Sequence, residues 1–542
     1  TKRELFGNRL AVRNAFDFQF HSGSPVSRVM VQASVGVYPK VPHGIGLINR
    51  DQAQRGSKKP LSLNCHAGTT TLVLAASSQG LDKVSEDSQA FFAERALGSL
   101  HFKAIVMENL HHIVVVGGGA GGLELVTRLG NKLGKKHKAR ISLVDAGLTH
   151  VWKPLLHEVA SGSLDASANE INYRAHARKH HYEFQLGRMS GLDRSAKEIV
   201  IAAFHDDEGN EVVPERRIRY DTLVIAVGST ANDFGTPGAQ EHCLFLDSLR
   251  QARRFHNLML NAFLRKNHEA LQGKPHSLNI SIIGAGATGV ELAAELRLAS
   301  RELPVYGMNH LKSSDVSISV IEAADRILPA LPGRLSAAAT RELQRQKVQV
   351  LTGQPVSEVR ENSLVMKDGT ELPSEMTIWA AGIKAPGFLA DLDGLEANRG
   401  NQLMVEQTLK TTRDDHIFAF GDCAACPQPD SDRSVPPRAQ AAHQQADTLF
   451  ETLCNRLEGK EAVAFVYNDH GSLINFSKYT TVGNLMGNLS GRSMYIEGKV
   501  ARLFYVSLYR MHQVALHGFV RTGIIWLMDK ISRAMHPRLK LH

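Results

Sequence analysis

Two glycine-rich runs in this chain, Gly117-Gly118-Gly119-Ala120-Gly121-Gly122 and Gly284-Ala285-Gly286-Ala287-Thr288-Gly289, carry the spacing that cradles a pyrophosphate. In such a turn Gly117 and Gly284 permit the tight reversal. Gly119 and Gly286 let backbone approach the phosphates, and Gly122 and Gly289 let the following helix pack closely on its strand. The helix that opens there offers unpaired N–H groups to the anion. Alone, such a run is a weak signal, but each copy follows an apolar strand-like segment, HHIVVV before the first and LNISII before the second. Each is followed in turn by a helical stretch and a second apolar run that ends in an acid, Asp145 or Glu322, where a ribose diol would be gripped. Glycine turns and strand-end carboxylates also occur in parallel sheets that bind no nucleotide. Two complete copies in one chain point to two dinucleotides held at once.

The elements needed to position these turns describe an α/β protein of two Rossmann-like dinucleotide-binding domains. The first runs over 107–242, through Tyr220–Gly228, and resumes over 386–450, where a strand delivers Gly421-Asp422 at its carboxyl end. The second runs over 243–385, closes on the strand-like run Thr377–Ile383, and is inserted in the first. Ligands of open parallel sheets bind beyond the carboxyl ends of the strands, which places Asp422 near the first dinucleotide. Residues 451–542 form a C-terminal region. Residues 1–106 are polar and irregular and read as an extension without a packed core, with a native start expected near Met107; a helix is conceivable over Ser85–Leu97.

With 542 residues, 43% hydrophobic and 22% charged, the composition is that of an ordinary globular protein. The net charge of +9 asks for an anionic partner. Nucleic acid is disfavoured, because the chain has no zinc-finger spacing, basic heptad helix or RNA-binding aromatic motif. The anionic membrane surface fits better. From Val514 to Met535 the residues Leu516, Phe519, Val520, Ile524, Trp526, Leu527 and Ile531 supply apolar surface, and Arg521, Lys530 and Arg533 supply charge, as in an interfacial helix; a homodimer contact is the alternative. No run reaches the roughly 18 apolar residues needed to span a bilayer. Five cysteines are too few and too irregular for a disulfide scaffold; the close pair Cys423 and Cys426 reads as two unpaired thiols, with a redox or metal role as the alternative, and no metal site is expected. His176 and His180, in RAHARKHHY, read as a solvated basic face.

These stretches, together with Trp152-Lys-Pro-Leu-Leu-His-Glu-Val-Ala160, Trp379–Lys384, Pro437–Gln444 and Pro537–His542, resemble the type II NADH dehydrogenases, non-pumping NADH:quinone oxidoreductases of the two-dinucleotide flavoprotein family. The resemblance covers essentially 107–542. It implies FAD held by Gly117, Gly119, Gly122 and Asp145, with Lys153, Pro154, Gly421 and Asp422 lining its pocket, and NADH as co-substrate held by Gly284, Gly286, Gly289 and Glu322. Gly382, Ala439 and Gln440 complete the cofactor contacts it implies. From the residues alone, Trp152–Leu156 is an apolar loop packing on the sheet. The resemblance places Glu291 between nicotinamide and flavin, where its residue-level alternative is a helix N-terminal acid that favours the dipole by roughly 0.3 to 1 kcal/mol. It also assigns Gln440 and Gln444, one turn apart on one helix face, to a membrane quinone, ubiquinone or menaquinone; that spacing by itself usually marks a solvated face. His443 falls off that face and reads as a rim residue. The implied activity is respiratory electron transfer from NADH through FAD to quinone without proton pumping, peripheral on the cytoplasmic face of the inner membrane. The alternatives are a flavin enzyme with another acceptor and a nucleotide-sensing binding protein.

Overall fold

Four of the five residues of His112–Val116 (β1) are β-branched and all five are buried, as a strand covered on both faces requires. The computed structural model that shows this describes residues 63–66, 69–72 and 110–542, apart from 166–169, 207, 430, 478–480, 487–492 and 536–542. Leu63–His66 and Thr69–Leu72 pair as an antiparallel hairpin. The expectations for the rest of 1–106, a helix over Ser85–Leu97 included, lie outside the described residues.

From β1 the chain turns at Gly117 into α1 (Ala120–Lys132) and returns as β2 (Arg140–Asp145). Two short helices, α2 (Leu156–Ser161) and α3 (Tyr173–Lys179), precede β3 (Glu183–Leu186) and β4 (Thr222–Ile225). Next come β5 (Cys243–Leu244), α4 (Leu249–Leu271), β6 (Leu278–Ile283), α5 (Ala287–Glu302), β7 (Val316–Ile321), β8 (Gln349–Leu351) and β9 (Met376–Trp379). The chain then adds β10 (Ile417–Ala419) and α6 (Ala439–Leu457). It ends with β11 (Gly471–Asn475), β12 (Thr481–Met486), β13 (Ser493–Glu497), α7 (Gly498–His517) and α8 (Phe519–Met535).

Two five-stranded sheets result, ordered β10-β4-β1-β2-β3 and β5-β9-β6-β7-β8, and every pairing within them is parallel. The second sheet falls wholly between β4 and β10 in sequence. Both sheets put the glycine-turn strand at the centre and the acid-bearing strand beside it. A three-stranded antiparallel meander follows the outermost strand in each case, Met189–Asp193/Glu198–Ile201/Arg216–Arg219 in one and Val356–Val359/Ser363–Met366/Glu371–Pro373 in the other. The connections between the sheets are themselves paired, Thr230–Ala231 with Ile383–Lys384.

The first core gathers Val114, Leu123, Leu143, Val224 and Phe418, and includes Leu449 of α6 and Leu516 of α7. The second gathers Ile280, Ile282, Leu292 and Ile318, and includes Ile474 and Val482 of the C-terminal sheet. Each such side chain contributes about 1.5–3 kcal/mol on burial, so the C-terminal region is bound into both cores rather than appended to one. The single amphipathic helix expected over Val514–Met535 is two helices, broken where Gly518 takes φ +79°. Leu516, assigned to the interfacial stripe, is 1% exposed and belongs to the protein core.

Candidate active site

The two glycine turns are built alike, down to the atoms that hold them. Gly117 and Gly284 have φ of +104° and +100°, where an L side chain is strained. A Cβ on Gly122 would overlap the Gly117 carbonyl oxygen, and a Cβ on Gly289 would overlap that of Gly284. At Gly119 and Gly286, by contrast, nothing lies within 4 Å of where a Cβ would stand. These are the N-caps of α1 and α5, and neither helix has a side-chain cap, so a phosphate can take the role of capping acceptor. The strand-end acids lock each turn. Asp145 accepts the Gly118 N–H (2.6 Å) and the Gly147 N–H (2.7 Å); Glu322 accepts those of Ala285 (2.9 Å) and Ala324 (3.0 Å). Burial pushes the Asp145 carboxyl up, opposed by its two N–H donors. The open glycine N-caps and the flanking carboxylates fit a dinucleotide in each cleft. Arg326, near Glu322, donates to the carbonyls of Leu331 and Pro329.

Around the first turn, Lys153 opens a short 3-10 turn with Pro154 in its first positions, and its ammonium donates to the Ser229 carbonyl (2.8 Å) and lies 3.7 Å from Asp247. Ser229 donates its hydroxyl to Asp422 (2.7 Å), which follows β10. Gly421 has φ +74°, and its N–H donates to Gln445 of α6 (2.8 Å). Lys153, Ser229 and Asp422 thus form one hydrogen-bonded line at the carboxyl edge of the first sheet. Gly382 stands beside the ribbon that joins the sheets, with φ +66°, where a Cβ would overlap the Phe234 ring. Ser229 and Gln445 escaped sequence reasoning, since neither belongs to a motif.

Glu291, in the first turns of α5, is 7% exposed. It accepts the Asn475 N–H at the end of β11 (2.9 Å) and lies 3.9 Å from the His157 ring. Burial pushes its carboxyl up to about 8, with Glu158 and Glu295 adding repulsion. Burial also pushes His157 down to about 4, so this close pair is a protonated acid beside a neutral imidazole rather than an ion pair. An acid that keeps its proton at neutral pH can donate it, which a surface N-terminal glutamate cannot.

On α6, Gln440 and Gln444 share one face and both grip the segment before β11. Gln440 donates to Asp469 (3.1 Å) and the Gly471 carbonyl (3.2 Å) and accepts the His470 N–H (3.1 Å). Gln444 donates to the Asn468 carbonyl (2.8 Å) and accepts its N–H (3.0 Å). Ala439 is the first residue of the helix. His443 points elsewhere, pairing with buried Glu124 of α1. Glu124 also accepts from His512 of α7 (2.7 Å), whose other ring nitrogen meets His150 (3.0 Å). Although burial opposes it, hydrogen bonds from His443 and His512 hold Glu124 below the usual carboxylate range. None of this network except His443 was singled out in the sequence.

Cys423 and Cys426 are free thiols, and burial pushes each up to about 11, which makes them poor nucleophiles and ligands at neutral pH. Among the described residues no cluster of histidine, cysteine or carboxylate has metal-binding geometry. His176 and His180 do not form a solvated face: they are 5% and 8% exposed, their rings stack at 4.2 Å, and the end of α7 covers them at His517. Helical spacing had put them on one side but could not say what packs there.

The pyridine nucleotide-disulphide oxidoreductase family matches residues 111–446. The type II NADH:quinone oxidoreductase of Haemophilus influenzae is 45% identical over 445 residues, 80% of this chain and all of that protein. The Staphylococcus aureus enzyme of the same name is 27% identical over 72% of this chain and 93% of its own length. In fold, the chain is similar to NDH2 of Plasmodium falciparum, solved in complex with NADH, at TM-score 0.68 and 19% identity over 79% of this chain and the whole of that one. α1, the helix that opens at the first glycine turn, contains no cysteine. At 45% identity along the whole of the Haemophilus influenzae protein, and with both acid-locked turns inside the family match, the chain belongs to the type II NADH:quinone oxidoreductases.

Proposed function

We propose that this chain passes electrons from NADH to a membrane quinone in the respiratory chain, with FAD in the first cleft and NADH in the second, and that it does so without moving protons across the bilayer. Bound FAD supplies the two-electron redox chemistry that no side chain here provides. The observation that carries the reading is the duplicated acid-locked turn, whose two clefts are joined by the Thr230–Ala231/Ile383–Lys384 ribbon. Gly117, Gly119, Gly122 and Asp145 hold the adenosine half of FAD, and Lys153, Pro154, Gly421 and Asp422 hold its flavin half. Gly284, Gly286, Gly289 and Glu322 hold NADH, with Gly382 at the joint. Glu291 keeps a proton for the acceptor half-reaction. Gln440 and Gln444, at the start of α6, order the 468–471 segment at the quinone's approach.

The membrane reading rests on α8. Phe519, Val520, Ile524, Leu527 and Met528 are all more than half exposed, Trp526 and Ile531 continue the patch, and Lys530 sits 4.1 Å above the Trp526 ring. No described helix is long and apolar enough to cross a membrane, so α8 would lie in the interface, on the cytoplasmic face where NADH is found. A homodimer over the same patch is the competing use, and analytical ultracentrifugation in detergent-free buffer separates the two. The decisive test of the whole reading is anaerobic addition of NADH to the purified yellow protein. The flavin absorbance should bleach and return on adding a soluble quinone; bleaching without reoxidation would point to a different acceptor.

A further inference from the structure

A cavity of about 430 Å³ opens between α3 and the junction of α7 with α8, on the far side of His150, which bonds the Gly118 carbonyl of the first turn at 2.9 Å. Its lining includes His176, Lys179, His517, Arg521, Tyr509 and Ile525. His176 Nε2 and His517 Nδ1 are buried with no hydrogen-bond partner. Lys179 and Arg521 stand at its rim, and among the described residues neither has a carboxylate partner. The one acid in the lining, Glu170, pairs with Arg253 outside it. Two cations and two orphaned imidazole nitrogens, the His176 ring bonded on its other side to the Tyr182 hydroxyl, therefore line one space without a free carboxylate, which an oxyanion with several acceptor oxygens satisfies. Burial lowers Lys179 and His517, and neighbouring charge lowers both further, Arg521 acting on Lys179 and Lys179 with Arg521 on His517.

We propose that this cavity is a headgroup site for the phosphate of an anionic phospholipid. The shared chemistry is a phosphate ester; the lipid is favoured over free phosphate because Phe519 and Val520, 82% and 80% exposed, stand immediately before Arg521 and would meet the acyl region when the headgroup is seated. Ile525 and Tyr509 give the cavity an apolar wall that inorganic phosphate would not use. The proposal rests on the interfacial reading of α8 and adds to it a defined pocket. Diffuse attraction responds to total charge, whereas a pocket responds to which charge is removed.

The test uses the full FAD-loaded protein. Binding of a short-chain, water-soluble phosphatidylglycerol is measured by calorimetry for the parent, for Lys179→Ala/Arg521→Ala, and for the charge-matched control Lys135→Ala/Lys136→Ala, exposed and away from α8, alongside flotation with phosphatidylglycerol/phosphatidylcholine vesicles. Retained flavin absorbance certifies the fold of each. The expected result is saturable lipid binding by the parent and the control, weakened about tenfold or more in the Lys179/Arg521 variant. Equal losses in both variants would reduce the effect to net charge and overturn the site. Inorganic phosphate binding as tightly as the lipid would overturn the lipid assignment, and displacement by a soluble quinone but not by phosphatidylglycerol would give the cavity to the quinone. If the parent fails to float on vesicles, the interfacial reading itself fails; if it floats but takes up no short-chain lipid, only the pocket does.

Discussion

Replacing Glu291 with glutamine should make the protein more stable at neutral and alkaline pH and leave it nearly unchanged in acid. In the folded chain burial holds the carboxyl up at about 8, against an ordinary value of 4.5. Below 4.5 both folded and unfolded chains carry the proton and the difference vanishes. Between 4.5 and 8 the unfolded chain ionises while the folded one does not, so stability falls as pH rises. Each pH unit in that window costs about 1.4 kcal/mol, which gives roughly 3 kcal/mol at pH 7 and an upper value of about 5 kcal/mol above pH 8. Glutamine is nearly isosteric, and its amide oxygen can still accept the Asn475 N–H. It cannot ionise, so the slope disappears. Thermal unfolding of the FAD-loaded parent and variant at pH 5, 7 and 8.5 reads the effect, with a gap of about 5 °C opening toward alkaline pH. Parallel curves for the two proteins would refute the buried protonated carboxyl, as would a variant less stable than the parent at pH 8.5. The same substitution should slow quinone reduction more than flavin bleaching by NADH, because only the former consumes protons.

Gly289→Ala should leave the protein yellow but unable to be bleached by NADH, whereas Gly122→Ala should lose flavin, because each added methyl meets the carbonyl of its own turn; spectra of the two variants separate the clefts. Glu322→Gln should raise the NADPH-to-NADH ratio of kcat/KM by tenfold or more, since a carboxylate about 4 Å from a 2′-phosphate costs up to about 4 kcal/mol at an effective dielectric near 20; an unchanged ratio would remove Glu322 from coenzyme selection. Gln444→Ala should impair quinone reduction while sparing artificial dye reduction, because it frees the Asn468 backbone at the quinone's approach; equal loss of both activities would count against the assignment. Cys423→Ser and added chelator should each leave turnover intact, as thiols held near 11 predict.

The parts of this molecule that could be read in advance are those in which one short stretch dictates its own geometry. The run from His112 to Gly122 encodes a buried strand, a turn at positive φ and a helix that must pack closely, and all three follow from β-branching and missing side chains. Gly421-Asp422 was legible for the same reason. What stayed hidden depends on partners far along the chain. Glu124 meets His443 and His512 across 319 and 388 residues, and no local pattern foretells that three titratable groups will share one buried spot. His176 and His180 were read as solvated because helical spacing fixes a face but not what lies against it. The unbroken apolar stripe through Val514–Met535 concealed the Gly518 break, and so credited Leu516 to a lipid surface when it belongs to the protein interior. The protonation of Glu291 follows from its burial, against the opposing N–H of Asn475, and no reading of α5 alone contains that burial.

The placement of β10 carries a consequence for biogenesis. The edge of the first sheet that receives it, β4, is made long before β10 leaves the ribosome, because the whole of the second sheet is synthesised in between. Until then β4 presents an unpaired parallel edge, and the pocket that Asp422 completes has one wall missing. Nascent chains should therefore be most exposed to chaperones and to strand-mediated association during that interval. Flavin capture should follow the emergence of Gly421-Asp422 and not the first glycine turn, so chains stalled before residue 417 would fold their second sheet yet remain colourless.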